Sequence, residues 1–142
     1  MNKQVAAATL INSERKLLLY LRDNKKNIPY PNRWAFIGGH LEPGENPLEA
    51  LIREINEEIT VIKTGKGYEI QNPEYLGFFS DDMGFKVHKV YMYKALITEK
   101  LEELQSEEGQ RLGYFSFEEA ISLSLPQCLE SFLIDYKEKI FS

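Results

Sequence analysis

Gly38–Thr60 constrains the fold more than any other stretch of the chain. Leu48, Leu51, Ile52, Ile55 and Ile59 recur there at helical spacing, and Pro47 suits a first helical turn, so the pattern predicts a helix from Pro47 to about Ile59. At about 100° per residue the apolar side chains fall on one arc, and Glu54, Glu57 and Glu58 share another, roughly 100° wide. Like charges at three- and four-residue spacing repel, and Glu57 and Glu58 also lie near the helix C-terminus, where the macrodipole disfavours anions. Arg53 is spaced to pair with Glu49 and Glu57, which leaves Glu54 and Glu58 without a local cation. Such a face is either simply solvated or a cradle in which a divalent cation removes the conflict.

The flanking segments place this helix in an α/β domain. "VAAATLI" and "LLLYL" around the polar "NSERK" read as two hairpin strands, and "RWAFI" reads as a strand ended by Gly38 and Gly39. "YLGFF" and "FKVHKVYMYKALI" read as strands around the turn "SDDMG", "TEKLEELQSEEGQ" as an acidic loop, and "RLGYF" as a further strand. Ser116 and Glu119 form a capping box for a short helix, and "PQCLESFLIDYKEKIF" reads as one terminal amphipathic helix. At 142 residues, 43% hydrophobic and 27% charged, with no repeat or linker, the expectation is one domain over residues 1–142.

A net charge of −5 argues against a nucleic-acid or membrane-surface partner, which would need a basic field. The single cysteine, Cys128, permits no intrachain disulfide, and the early apolar run is a strand rather than a leader, so the expected compartment is cytoplasmic.

Gly39, five residues, Glu45, seven residues, then Arg53-Glu54-Ile55-Asn56-Glu57-Glu58 is a spacing that resembles the Nudix box of MutT-like pyrophosphohydrolases. Every charged position of that pattern is present, and weaker similarity in element order extends over most of the chain. Two positions depart from it: Thr60 stands where the family usually has glycine, and Ile37 replaces a common proline before the glycine pair. Both touch backbone geometry rather than the carboxylates.

The resemblance implies a Nudix-type α/β/α sandwich with a mixed β-sheet. It implies Glu54, Glu57 and Glu58 as the main metal ligands, with the Gly38 carbonyl as another and Gly39 as a substrate contact. Hard oxygen ligands suit Mg²⁺ or Mn²⁺. By the same resemblance Arg53 orients the glutamates, Glu45 braces the loop, and Arg22 contacts a phosphate. "SEEGQR" resembles a segment that supplies a late metal ligand or general base, favouring Glu108 over Glu107, with Glu58 as the competing base.

The implied activity is metal-dependent hydrolysis of a nucleoside diphosphate linked to another group, led by a nucleoside triphosphate cleaved to the monophosphate and pyrophosphate. Sugar-nucleotide or dinucleoside-polyphosphate hydrolysis and a catalytically inactive nucleotide-binding module are the alternatives. The partner expected is a small-molecule nucleotide, and a homodimer is left open. Trp34 and Phe36 alternate along a strand and read as sheet-face residues before they read as a base pocket.

Overall fold

The computed structural model describes residues 3–81 and 87–142. In chain order its strands are β1 (Gln4–Ile11), β2 (Leu17–Leu21), β3 (Trp34–Ala35), β4 (Ile37–His40), β5 (Ile59–Val61), β6 (Lys66–Gly67), β7 (Glu74–Asp81), β8 (Val87–Leu96), β9 (Leu104–Ser106) and β10 (Arg111–Phe115). Its helices are α1 (Pro47–Glu58), α2 (Phe117–Ile121), α3 (Gln127–Asp135) and α4 (Lys137–Phe141).

The run from Ala6 to Ile11 is buried at every position, which a strand achieves only when both faces of its sheet are covered. β1 accordingly sits mid-sheet, in the order β10-β2-β1-β8-β7, with β3 added to β2 and β4 to β1. Its pairing with β8 is parallel, and its pairings with β2 and β4 are antiparallel, so the sheet is mixed. α1 packs on β1 and β4, α3 on β7, and α4 reaches β1. This is the α/β sandwich expected. β5, β6 and β9 form a second small sheet.

The helix boundaries follow from local chemistry. Asn46 caps α1 by accepting from the Glu49 backbone N–H, while the Glu49 carboxylate accepts from the Asn46 N–H. At the other end Ile59 is extended, at φ −118° and ψ 123°, and the chain passes directly into β5. Thr60 pairs there with Gly67 and Gln105. The glycine customary at this position is dispensable because no left-handed cap is made, and a β-branched residue suits the strand that replaces it. Ile37 is buried and pairs with Ala8.

The structure corrects several expectations. Gly38 and Gly39 do not end a strand. They lie inside β4, opposite Ala7 and Ala6, because their missing side chains permit close approach: a Cβ on Gly38 would stand 2.1 Å from the Ala6 carbonyl oxygen. The helix expected over residues 126–141 breaks at Tyr136 (φ −108°, ψ 16°). The Tyr136 ring stacks on Phe132 at 4.2 Å, and its hydroxyl would lie 2.4 Å from a Cβ on Gly77. Tertiary packing thus overrides a continuous helical pattern.

The acidic stretch 98–110 holds a 3-10 turn, Leu101–Glu103, and β9, pinned by the buried Leu104. On α1 the buried residues are Ala50, Leu51, Ile55 and Glu58, whereas Leu48 and Ile52 are 40% and 46% exposed. The helix is turned so that a carboxylate, not the edge of its apolar arc, faces inward. The expected "SDDMG" turn falls largely outside the described residues.

Candidate active site

Arg53 organises the acidic face of α1. Its Nε donates to Glu45 Oε2 at 2.7 Å and its Nη2 to Glu45 Oε1 at 2.9 Å, a bidentate pair that ties the helix to the loop before it. Nη2 also donates to the His40 carbonyl at 2.9 Å, and Nη1 donates to Glu54 Oε1 at 2.8 Å. Glu57 receives only a long contact, at 3.4 Å, and its side chain is 58% exposed.

The sequence pairing rule therefore misassigned two partners: Glu49 is used in the capping box, and Glu54 has a cation after all. Hydrogen bonding from Arg53 lowers the Glu45 carboxyl to about 2. Glu45 also accepts from the Glu42 backbone N–H at 2.8 Å, across the turn that Gly44 makes at φ 84°.

Glu58 is the exception to this neutralisation. It is 7% exposed, and its carboxyl lies within hydrogen-bonding reach of those of Glu108 and Glu54. Among the described residues no cation forms an ion pair with it. Burial first, and the Glu108 carboxyl second, push its pKa far above the usual carboxylate range. The same burial drives Tyr20, next to it, up to about 12.

Glu54, Glu58 and Glu108 line a cavity of about 360 Å³, together with Tyr20, Arg22, Gly38 and Gly39. Gly39 is there for space. A Cβ at that position would lie 2.2 Å from a Glu54 carboxylate oxygen, so only glycine lets the carboxylate lie against the strand. The same cavity has an apolar lining from Val5, Ala7, Ala35, Phe36, Phe79, Val90 and Leu129. In the sequence Phe36 reads as a sheet-face residue before a base pocket, and Phe79 and Leu129 went unrecognised, because a strand or helix residue facing a cavity has the same pattern as one facing the core. The Phe36–Phe132 and Phe79–Phe132 ring contacts, at 6.3 and 5.5 Å, show that this wall is continuous with the core.

The fold thus brings Glu54, Glu58, Glu108, Arg22, Gly38 and Gly39 to one cavity, and sets Arg53 and Glu45 behind Glu54. Glu57 and Glu107 are exposed and do not line the cavity. A buried carboxyl beside two others is a set of hard oxygen donors, which suits Mg²⁺ or Mn²⁺. Among the described residues, no group of three acidic or other ligating side chains already converges on one point. Arg53 holds Glu54 at 2.8 Å and makes only a long contact to Glu57, so Glu57 is the box carboxylate that stands apart from the Glu54, Glu58 and Glu108 group.

Comparison with known proteins shows the family. The NUDIX domain family profile matches residues 1–135. Human diphosphoinositol polyphosphate phosphohydrolase 3-beta is 33% identical, with the match covering 97% of this chain and 77% of that protein. The solution structure of the E. coli ORF135 protein superposes with a TM-score of 0.66 at 25% identity, covering 98% of this chain and 94% of that one. The crystal structure of a MutT protein from Methanosarcina mazei gives a TM-score of 0.70 at 17% identity, covering 97% and 94%. The match of the family profile to almost the whole chain, joined to a fold of the same kind, makes this protein a member of the Nudix hydrolase family.

Proposed function

We propose that the protein is a Mg²⁺- or Mn²⁺-dependent hydrolase of nucleoside diphosphates linked to another group, with a nucleoside triphosphate cleaved to the monophosphate and pyrophosphate as its leading reaction. The observation that carries this reading is one cavity lined both by a carboxylate cluster and by an apolar, partly aromatic set of side chains. The carboxylates suit a metal-bound diphosphate, and the apolar side chains suit a nucleobase, which buries by stacking and apolar contact.

The human relative is named for diphosphoinositol polyphosphates, molecules that carry a phosphate on most ring carbons. Recognition of such a ring calls for several cations. Among the described lining residues only Arg22 and His40 are basic, against three glutamates and a larger apolar set. Lys25 and Lys26 are exposed on the loop outside, and Arg33 donates to the Ser124 carbonyl. The lining therefore favours the nucleotide.

In this reading Glu54, Glu57 and Glu58, with Glu108 and the Gly38 carbonyl, hold the ion. The chemistry supplied by such an ion is neutralisation of diphosphate charge and activation of a water. Arg22 contacts a phosphate, Arg53 and Glu45 keep Glu54 in place, and Gly39 leaves room for the Glu54 carboxylate and contacts the substrate through its backbone. Glu108, exposed at the cavity rim, accepts the water's proton, with Glu58 as the alternative. Among the described residues, no helix is long and apolar enough to cross a membrane.

A direct test compares nucleoside triphosphates, sugar nucleotides, dinucleoside polyphosphates and a diphosphoinositol polyphosphate with Mg²⁺ or Mn²⁺, identifying products by mass. Monophosphate and pyrophosphate from a triphosphate are expected at the highest kcat/KM. Faster release of phosphate from the inositol compound would overturn the nucleotide reading.

The buried Glu58 carboxyl gives a second expected result. Its folded pKa is raised above the ordinary 4.5, so the stabilisation from its protonation is complete below that value and is lost as pH rises toward the folded pKa. The metal-free protein should therefore unfold at a lower temperature at pH 8.5 than at pH 5.5. Mg²⁺ or Mn²⁺ should raise the midpoint, and raise it more at pH 8.5, where protons compete less for the carboxylate than at pH 5.5. Glu58→Gln should flatten both trends. Thermal unfolding at the two pH values, with and without metal, checks this, and a metal response that survives Glu58→Gln unchanged would place the ion elsewhere.

A further inference from the structure

We propose that Tyr20 is a positioning residue for the reaction: its hydroxyl aims Arg22 into the cavity, and its ring holds the loop that carries Glu108. The proposal rests on the nucleotide reading above and adds to it a residue outside the Nudix box.

Tyr20 lies on β2, is 7% exposed, and faces the cavity between Arg22 and the carboxylates. Arg22 Nη1 donates to the Tyr20 hydroxyl oxygen at 2.7 Å, and Arg22 Nε donates to the Pro29 carbonyl at 2.9 Å. Two fixed points set the plane of a guanidinium, whose planar fork is what makes it specific for phosphate oxygens. Burial alone would be met by leucine, the residue at Leu17, Leu18 and Leu19 on the same strand. The hydroxyl supplies what leucine lacks, a polar anchor inside the cavity wall. With its pKa near 12 it stays neutral at working pH and acts as an anchor rather than a base.

The ring has a separate contact. Gly109, at φ 76°, lies so close that a Cβ there would stand 2.7 Å from Tyr20 Cδ2 and 2.5 Å from the Leu21 carbonyl oxygen. The residue after Glu108 is therefore seated on the Tyr20 ring. The same loop is tied to β2 by Gln110, whose backbone N–H donates to the Leu21 carbonyl at 2.8 Å and whose Nε2 donates to the Arg22 carbonyl at 2.8 Å. It is tied to α1 by the Glu107 N–H, which donates to the Glu58 carbonyl at 2.7 Å. One side chain thus stands between the cation and the late carboxylate, and the order it imposes is established before substrate arrives. Pre-ordering a long side chain such as Arg22 reduces the entropy lost on binding.

Tyr20→Phe removes the hydroxyl and keeps the ring, so it separates the two roles. Steady-state hydrolysis of the best nucleoside triphosphate should show KM raised roughly tenfold, with kcat within about twofold, as expected for loss of one charge-assisted hydrogen bond that positions a ground-state contact. Arg22→Met should raise KM at least as much, and Tyr20→Phe combined with Arg22→Met should be no worse than Arg22→Met alone. Tyr20→Leu should in addition lower kcat in the direction of Glu108→Gln. The Mg²⁺-induced rise in unfolding midpoint should be unchanged in Tyr20→Phe, which marks the fold and the carboxylates as intact.

An unchanged KM in Tyr20→Phe, with Arg22→Met impaired, overturns the proposal and leaves the nucleotide reading standing. Normal KM in both variants overturns it together with the phosphate contact assigned to Arg22. A wild-type protein that hydrolyses no nucleotide with either metal overturns the nucleotide reading itself, and the proposal with it.

Discussion

Glu58→Gln is expected to lower turnover of the best nucleotide by roughly a thousandfold or more, the loss that corresponds to several kcal/mol of transition-state charge stabilisation from a correctly held metal. The substitution is nearly isosteric, and it replaces the carboxyl that lies buried beside Glu54 and Glu108. The fold should persist. At pH 8.5 the metal-free variant should be at least as stable as the wild type, because the amide is neutral without the proton that the buried carboxyl must take up on folding.

Glu57→Gln should also reduce turnover by orders of magnitude if that residue swings from its long contact with Arg53 to the ion. Glu49→Gln is the control. Its side chain serves the α1 capping box, a role that glutamine also fills, so kinetics and midpoint should hardly move. The measurement is steady-state hydrolysis with metal binding determined separately. Retention of more than about a tenth of wild-type turnover in Glu58→Gln would remove the carboxylate cluster from the chemistry, since first-contact ionic groups at such sites are worth far more.

The difference between Glu57 and Glu58 marks how far the sequence could be read. Helical periodicity placed Glu54, Glu57 and Glu58 on one arc, and the charged spacing pointed to the family. Neither could say how the helix is rotated about its axis, because that depends on what the sheet offers to pack against. Ala6 and Ala7 are small, and Gly38 and Gly39 are smaller, so α1 can bring Glu54 against bare backbone and bury Glu58, while Leu48 and Ile52 turn outward.

The break at Tyr136 and the strand at Leu104–Ser106 were hidden for the same reason: each is fixed by a partner distant in sequence, Gly77 for the first and Ile59–Val61 for the second. Fold class and the acidic box were legible because they rest on local period and spacing. The apolar wall of Phe36, Phe79 and Leu129 was not, since burial against a cavity and burial against a core leave the same trace in a sequence.

Arg53→Lys is expected to cost about a hundredfold in turnover, the upper range for residues that orient metal ligands without touching the ion, and to lower stability as well. Arg53 holds Glu45 through two nitrogens, Glu54 through a third, and the His40 carbonyl besides. A lysine ammonium has its three donors on one nitrogen and no planar fork, so it cannot span both Glu45 oxygens, Glu54 and the His40 carbonyl as the guanidinium does. Glu54 would then be free to leave the position against Gly39 that the cavity needs.

The sign of the pH dependence follows from Glu45. Its carboxyl is held at about 2, below the ordinary 4.5, chiefly by the Arg53 hydrogen bond. The stabilisation is therefore fully present above pH 4.5 and is lost as pH falls toward 2. Wild type and Arg53→Lys should differ in unfolding midpoint at pH 7 and converge on acidification, and Glu45→Gln should be non-additive with Arg53→Lys because the two act through one contact. Thermal unfolding from pH 7 down to about 2.5, alongside kcat and KM at neutral pH, reads both effects. A midpoint gap as wide at the acid end as at pH 7 would show that Arg53 stabilises the fold through its packing, and that its grip on Glu45 is not what sets the carboxylate face.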